Sequence, residues 1–204
     1  MPLTSTVEQL LAGTRPLPIV TAGDPVLRRR AEPYDGSLPA DLLTELLAAM
    51  RETMLVAPGV GLAAPQIGLG VQIAVIEDAA TVPAEVADVR ERTPTAFRVL
   101  VNPDYRPVDD EVATFYEGCL SVPGYQAVVQ RARSVHLHCW DERGTERTET
   151  VTGWAARIVA HETDHLHGML YLDKALTRSL SSLENYARRW ATPTPLSARA
   201  ELGF

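Results

Sequence analysis

The sequence has few cysteines and a shortage of basic residues, and each shortage excludes a class of protein. Two cysteines, Cys119 and Cys139, are too few for a disulfide framework, so we expect thiols that stay reduced. Lysine and arginine together number 19 against 26 acidic residues, for a net charge of −7. Proteins that follow nucleic-acid phosphates need a clustered basic surface, so no direct nucleic-acid recognition is expected.

Long hydrophobic runs are also missing. The apolar stretches fall well short of the roughly 18 residues that cross a bilayer. The first residues carry neither a basic segment followed by an apolar one nor an arginine-rich, acid-free character. We therefore expect a cytoplasmic protein that does not contact a membrane.

The length of 204 residues and the hydrophobic content of 46% suit a single domain of the α+β class. Leucines and methionines at helical spacing predict an amphipathic helix from Pro39 to about Val56. Alternating β-branched residues predict strands at 71–78 and 97–108, and residues 125–151 predict two strands joined by a turn at 141–144.

The remaining segments show weaker patterns. Residues 78–96 lack an apolar period and are interpreted as a surface loop, and residues 181–190 as a weak helix. The single domain is expected to span 1–204, with a core at about 15–178 and a flexible tail at 191–204.

The stretch HETDHLHG, His161 to Gly168, carries the clearest chemical signal. In a helix, His161 and His165 lie only about 40° apart, so both imidazoles leave one face and aim at one metal ion. Glu162 can then reach a water on that metal without being a ligand itself, as in the HExxH pattern. Trp154 and Ile158 continue the same face, so the metal face is the buried face of the helix. With the strands predicted above, we expect antiparallel or mixed strands packed around this central metal-binding helix.

Two histidines require a third ligand from elsewhere in the chain. Tyr171 stands where the extended metzincin motif has its third histidine, so that protease class is excluded. Glu184 follows His165 at the distance of a gluzincin-like ligand and remains a candidate. Cys119 is the stronger candidate, because it lies in the sharp, glycine- and proline-flanked segment EGCLSVPG and would complete a Cys/His₂ set with an open fourth position, typical of catalytic sites.

Residues 57–70 are rich in glycine and proline. Gly59 and Gly61 match the first two glycines of a dinucleotide-binding fingerprint, but no βαβ unit follows. We interpret them instead as positions where a substrate backbone approaches closely. Gln66 is the long polar side chain of the segment and can both donate and accept hydrogen bonds.

Three motifs in this order resemble those of the peptide deformylase family: GVGLAAPQ at 59–66, EGCLS at 117–121 and HETDHLHG at 161–168. The resemblance extends from about Gly23 to Ala175. It implies a hydrolase that removes the formyl group from the N-formylmethionine of nascent polypeptides and releases formate. It also implies one divalent metal ion, with Fe²⁺ expected and Zn²⁺ or Ni²⁺ as substitutes, and a transient association with the ribosome.

The resemblance further implies a role for each matching residue. The metal ligands would be Cys119, His161 and His165, and Glu162 would be the general base and acid. The Gln66 side chain and the backbone N–H of Leu120 would stabilise the oxyanion. The peptide would lie as an added strand along Gly59, Val60 and Gly61, with Val60, Leu120 and Ile158 around the methionine side chain.

Three positions qualify the resemblance. In similar proteins the glutamate of EGCLS pairs with an arginine, which here implies a pair between Glu117 and Arg131. Ala160 stands where family members commonly have glutamine, so a hydrogen bond near the metal is either absent or supplied by another group. Gln126 stands where some members have an arginine that reaches the peptide, which leaves preferences beyond methionine open.

Overall fold

Two antiparallel sheets enclose one helix in the computed structural model, which describes residues 2–204. The helices are α1 (Leu3–Leu11), α2 (Ala40–Val56), α3 (Ala84–Arg90), α4 (Gly153–Leu166), α5 (Leu183–Asn185) and α6 (Leu196–Leu202). The strands are β1 (Gly61–Ala63), β2 (Ile73–Asp78), β3 (Thr95–Pro107), β4 (Val112–Cys119), β5 (Val122–Ala132), β6 (Ser134–Trp140), β7 (Glu146–Thr152) and β8 (Ser181–Ser182). Short 3₁₀ turns lie at Pro25–Arg28, Ala64–Ile67, Tyr171–Asp173 and Thr177–Ser179, and a π-helical turn at Tyr186–Trp190.

The larger sheet has the strand order β1-β2-β3-β6-β7, and the smaller sheet has the order β4-β5-β8. Every pair of neighbouring strands is antiparallel. Helix α4 contacts strands of both sheets. The predicted α+β fold, with strands around the HExxH helix, is therefore confirmed.

Strand β2 is buried on both faces, and this explains its uninterrupted apolar sequence. Ile73 and Val75 pack in the core that includes helix α2. Ala74 and Ile76 point the other way, into the core formed with helix α4. Because successive side chains of a strand alternate between its faces, the larger sheet separates α2 from α4.

The predicted amphipathic helix is confirmed as α2. It begins directly after Pro39, whose fixed φ is compatible with a helix start. Leu42 is partly buried at the edge of the predicted apolar stripe. The buried residues of the stripe are Leu43, Leu46, Leu47, Met50 and Met54. The two predicted single strands correspond to β2 and β3.

The prediction of two strands in residues 125–151 was wrong, because the structure has three. The turn at 141–144 does join β6 to β7. Upstream of it, the chain passes from β5 in the smaller sheet to β6 in the larger sheet at Arg133. No glycine or proline marks that change of sheet, so the sequence has no turn signal there.

Residues 78–96 are not an unbroken loop, because they include helix α3. None of the residues of α3 is buried, so the segment has no apolar period to reveal the helix.

Within residues 2–204, no helix is long and apolar enough to cross a membrane.

The C-terminal residues differ from the expected flexible tail. Residues 196–202 form α6, and Ala198 is fully buried in a cluster with Tyr116 and Val128. A helix of this length with one buried position gives almost no periodic signal. The predicted weak helix at 181–190 is divided among β8, α5 and the π-helical turn.

Replacement of Ala198 by glutamate should destabilise the fold, because the added side chain has no room and brings a charge into an apolar cluster. We expect the free energy of unfolding to fall by about 1–3 kcal/mol or more in urea titrations. Ala200→Glu on the exposed face of the same helix is the matched control and should have little effect. Equal effects of the two variants would show that α6 does not pack.

Candidate metal centre

Three side chains that could ligate a metal ion converge from two elements. Cys119 ends strand β4, and His161 and His165 lie one turn apart on helix α4. One ligand atom from each residue lies within 4.8 Å of the others, and Cys119 Sγ is 3.2 Å from His165 Nε2. Strand β4 ends there because Leu120 and Ser121 form a two-residue turn into β5, which places the thiol at the tip of a hairpin.

The partner of His161 fixes which of its nitrogens can bind a metal. His161 Nδ1 lies 3.0 Å from Glu117 Oε2. A carboxylate can only accept a hydrogen bond, so Nδ1 carries the hydrogen and Nε2 keeps its lone pair. A thiolate with two imidazoles is a donor set that suits a tetrahedral divalent ion, so these three residues fit a metal.

Glu117 is the centre of a buried network of charges. Its carboxylate accepts hydrogen bonds from Arg131 Nε at 2.6 Å, Arg131 Nη2 at 2.9 Å and Arg157 Nη1 at 2.5 Å. Arg131 also donates to Asp164, which binds Lys174. Burial would raise the pKa of Glu117, but Arg131 and His161 outweigh it and hold that pKa well below its usual value.

The expected pair between Glu117 and Arg131 is confirmed, whereas the role of Arg157 was missed. Arg157 lies on α4 and is 4% exposed, with its second nitrogen donating to the Ala113 carbonyl. Its signal in the sequence was an arginine within an otherwise apolar helical stretch. Such a residue is buried only with partners, but the sequence does not say which partners they are.

Glu162 lies beside the three ligands and is itself buried. Its Oε2 atom has no hydrogen-bond partner among the described residues. Burial raises the pKa of Glu162 to about 7, and a divalent cation nearby would favour the ionised form. A buried carboxylate atom without a partner at this position fits a site that receives a metal and a water molecule.

Gly61 gives Glu162 the space it occupies. A Cβ atom built on Gly61 would lie 2.2 Å from Glu162 Oε1, closer than any real contact. The sequence interpretation placed a substrate backbone close to this glycine. The structure shows that the side chain of Glu162 also needs a glycine here, because it occupies the space that a Cβ atom would fill.

Gln66 connects the glycine-rich segment to the cysteine hairpin. Its Oε1 accepts from the backbone N–H of Ala63 at 2.8 Å. This contact directs Nε2 toward Ser121 Oγ at 3.3 Å and Cys119 Sγ at 3.6 Å. The amide is therefore oriented, with its donor group beside the candidate ligands.

A cavity of about 610 Å³ lies in front of these residues. Its lining includes every predicted site residue except His165, namely Gly59, Val60, Gly61, Gln66, Cys119, Leu120, Ile158, His161 and Glu162. His165 is 1% exposed and lies behind the cavity wall, in contact with Cys119. Glu184, the alternative third ligand, is exposed on α5 and does not belong to the group of converging ligand atoms.

Several lining residues were not predicted. Arg90 and Arg92 reach the cavity from the 78–96 segment, and Leu183 and Tyr186 reach it from the C-terminal region. These segments come together only through the fold, so no local pattern could identify them. Strand β1 lies at the edge of the larger sheet, and its first residue, Gly61, lines the cavity together with Gly59 and Val60. An extended peptide can pair with an edge strand.

A buried HExxH helix, a cysteine from a hairpin and a cavity beside an edge strand define a metal-dependent hydrolase that acts on peptides. Residues 16–180 match the model of the polypeptide deformylase family. The chain belongs to this family. It is therefore a metal-dependent hydrolase that removes the N-formyl group from N-formylmethionyl nascent polypeptides.

Individual relatives agree with this assignment. Peptide deformylase 3 of Streptomyces avermitilis is 63% identical over 203 residues, which cover all of this chain and 91% of the relative. Peptide deformylase 1 of Streptomyces coelicolor is 57% identical over 204 residues, which cover all of this chain and 94% of the relative. The crystal structure of class I type b peptide deformylase from Acinetobacter baumannii with bound Met-Ala-Ser is 32% identical, has a TM-score of 0.69, and covers 78% of this chain and 97% of its own.

Replacement of Gly61 by alanine should displace the Glu162 carboxylate, because the new methyl group would overlap it. A shift of about 1 Å at a reacting group can reduce the rate by about 10²-fold, so we expect a loss of that order in formate release. Gly70→Ala is the control, since a Cβ there meets nothing within 4 Å. If the Gly61 variant retained full activity, the position of Glu162 would not matter for the reaction.

Proposed function

We propose that Cys119, His161 and His165 hold one divalent metal ion and that Glu162 transfers the proton during deformylation. The observation that carries the proposal is the convergence of three ligand atoms within 4.8 Å beside a buried carboxylate oxygen without a partner. When bound, the ion would lower the pKa of water toward neutrality and polarise the formyl carbonyl.

Glu162 would take a proton from the attacking water and deliver it to the leaving amine nitrogen. The water oxygen adds to the formyl carbon, and the bond from that carbon to the methionine nitrogen breaks. The products are formate and a free amino terminus. The close packing of Glu162 against Gly61 keeps the carboxylate in place during both transfers.

The charge that develops on the formyl oxygen needs donors that are already in place. Gln66 Nε2 is one candidate, because its orientation is fixed by the hydrogen bond from Ala63 N–H to Gln66 Oε1. The backbone N–H of Leu120 is the second candidate, since Leu120 lies in the turn next to Cys119 and lines the cavity. Both donors therefore belong to segments held next to the ligands.

We propose that the substrate lies as an added strand along Gly59, Val60 and Gly61, where the chain enters β1 at the edge of the larger sheet. An extended peptide can hydrogen-bond to an edge strand and place alternate side chains in pockets. Val60, Leu120 and Ile158 would surround the methionine side chain, and all three line the cavity. The apolar side chain of Ile158 favours an apolar side chain there.

The proposed metal is Fe²⁺, with Zn²⁺ or Ni²⁺ as substitutes. The family resemblance favours iron, whereas a cysteine with two histidines would by itself suit zinc. Arg157 donates an additional hydrogen bond to Glu117, near Ala160, where a glutamine is common in similar proteins.

We also propose that the enzyme acts on the nascent chain in the cytoplasm, in transient association with the ribosome.

Hydrolysis of formyl-Met-Ala-Ser, assayed without oxygen after reconstitution with iron, nickel or zinc, tests the activity. We expect formate release by the wild-type protein and a loss of about 10²- to 10⁴-fold in Glu162→Gln, because the amide cannot carry the proton. The variant should keep its metal, as measured by elemental analysis, since Glu162 is not a ligand. Absence of formate with all three metals would overturn the proposed function.

Metal content also distinguishes the two candidate third ligands. Cys119→Ala should lose the metal during dialysis, because it removes one of three protein ligands. Glu184→Ala should retain the metal, since Glu184 is exposed and is not among the converging ligand atoms. The reverse result would assign the third ligand to Glu184.

A further inference from the structure

The C-terminal segment forms part of the wall of the catalytic cavity. The match to the family model ends at residue 180, so the residues that follow lie outside it. Leu183 and Tyr186 nevertheless line the same cavity as His161 and Glu162. Part of the substrate cavity is therefore built by a segment that the family model does not include.

This wall is attached firmly to the smaller sheet. Strand β8 pairs with β5, with Ser182 opposite Tyr125. The Ser182 hydroxyl accepts a hydrogen bond from the Asn185 N–H at 3.2 Å and so caps helix α5. The ring of Tyr186 packs edge-on against Tyr116, with ring centroids 5.0 Å apart. The backbone of this wall and the ring of Tyr186 therefore have defined positions relative to the smaller sheet.

The wall presents apolar surface to the cavity. Leu183 is 46% exposed and Tyr125 is 50% exposed, and both line the cavity. Large exposed apolar side chains that cluster at the mouth of a cavity mark a surface that a ligand covers. Gln126 is the neighbouring polar side chain from β5, and it carries no charge that would select an acidic or basic residue.

The substrate peptide is the ligand that best fits this surface, because the surface belongs to the same cavity as the candidate metal ligands. The cavity of about 610 Å³ is larger than a formylmethionine residue fills, and the peptide must continue past the ligands toward solvent. We propose that Tyr125, Leu183 and Tyr186 form a subsite for an apolar side chain at the second or third position of the formylated peptide. This inference rests on the proposed function, because the same cavity must hold the formylmethionine.

Steady-state kinetics with peptides of matched length test the subsite. The substrates are formyl-Met-Ala-Ser, formyl-Met-Leu-Ser and formyl-Met-Ala-Leu, and the readout is the ratio of kcat/KM between each leucine peptide and the alanine–serine peptide. Burial of a leucine in an apolar subsite should give the wild-type protein a preference of roughly tenfold for at least one leucine peptide. Leu183→Ala should reduce that ratio toward one, and Tyr125→Ala should reduce it in part.

Leu180→Ala is the matched control. Leu180 is 48% exposed, close to the 46% of Leu183, but it does not line the cavity. The control should keep the wild-type ratio, and thermal unfolding should show that all variants are folded. No preference in the wild-type protein, or an unchanged ratio in Leu183→Ala, would overturn the subsite alone. No hydrolysis of any peptide by the wild-type protein would instead overturn the proposed function, and the subsite with it.

Discussion

The geometry of the site depends on the buried carboxylate of Glu117. It accepts hydrogen bonds from Arg131 on β5 and from Arg157 and His161 on α4, while Glu117 itself lies on β4. Removal of the Glu117 carboxylate would leave the buried Arg157 without its ion-pair partner, and an uncompensated charge of this kind commonly costs about 3–5 kcal/mol. The network therefore fixes the hairpin against the helix. Cys119 follows Glu117 by two residues on the same strand, so its thiol is set in place relative to the histidines.

The same network links structure to chemistry through His161. Because Glu117 accepts the hydrogen on Nδ1, the nitrogen that faces Cys119 and His165 is the one with a free lone pair. Gln66 acts in a comparable way on the other side, where Ala63 and Ser121 orient its amide. His161 and the Gln66 amide are thus oriented by hydrogen bonds before any substrate arrives.

The sequence predicted the parts of the site that depend on local spacing. The HExxH helix, the stripe of α2 and the turn at 141–144 follow from periodicity and turn chemistry. The change of sheet at Arg133 and the role of Arg157 could not be predicted, because neither depends on a local pattern. Cys119 and Glu184 could not be separated by spacing alone. The fold distinguishes them, because β4 brings Cys119 to α4, whereas Glu184 lies exposed on α5.

The double burial of β2 has a mechanical consequence for Glu162. Gly61 pairs with Ile76 of β2, and the same glycine is in close contact with the Glu162 side chain. A larger side chain on the buried face of α2, for example at Met50, would push the larger sheet toward α4. The close contact between Gly61 and Glu162 leaves no free space for that movement. The packing of the core beneath α2 thus affects the position of Glu162. Substitutions made in that core to raise thermal stability would have to preserve the total volume of its side chains.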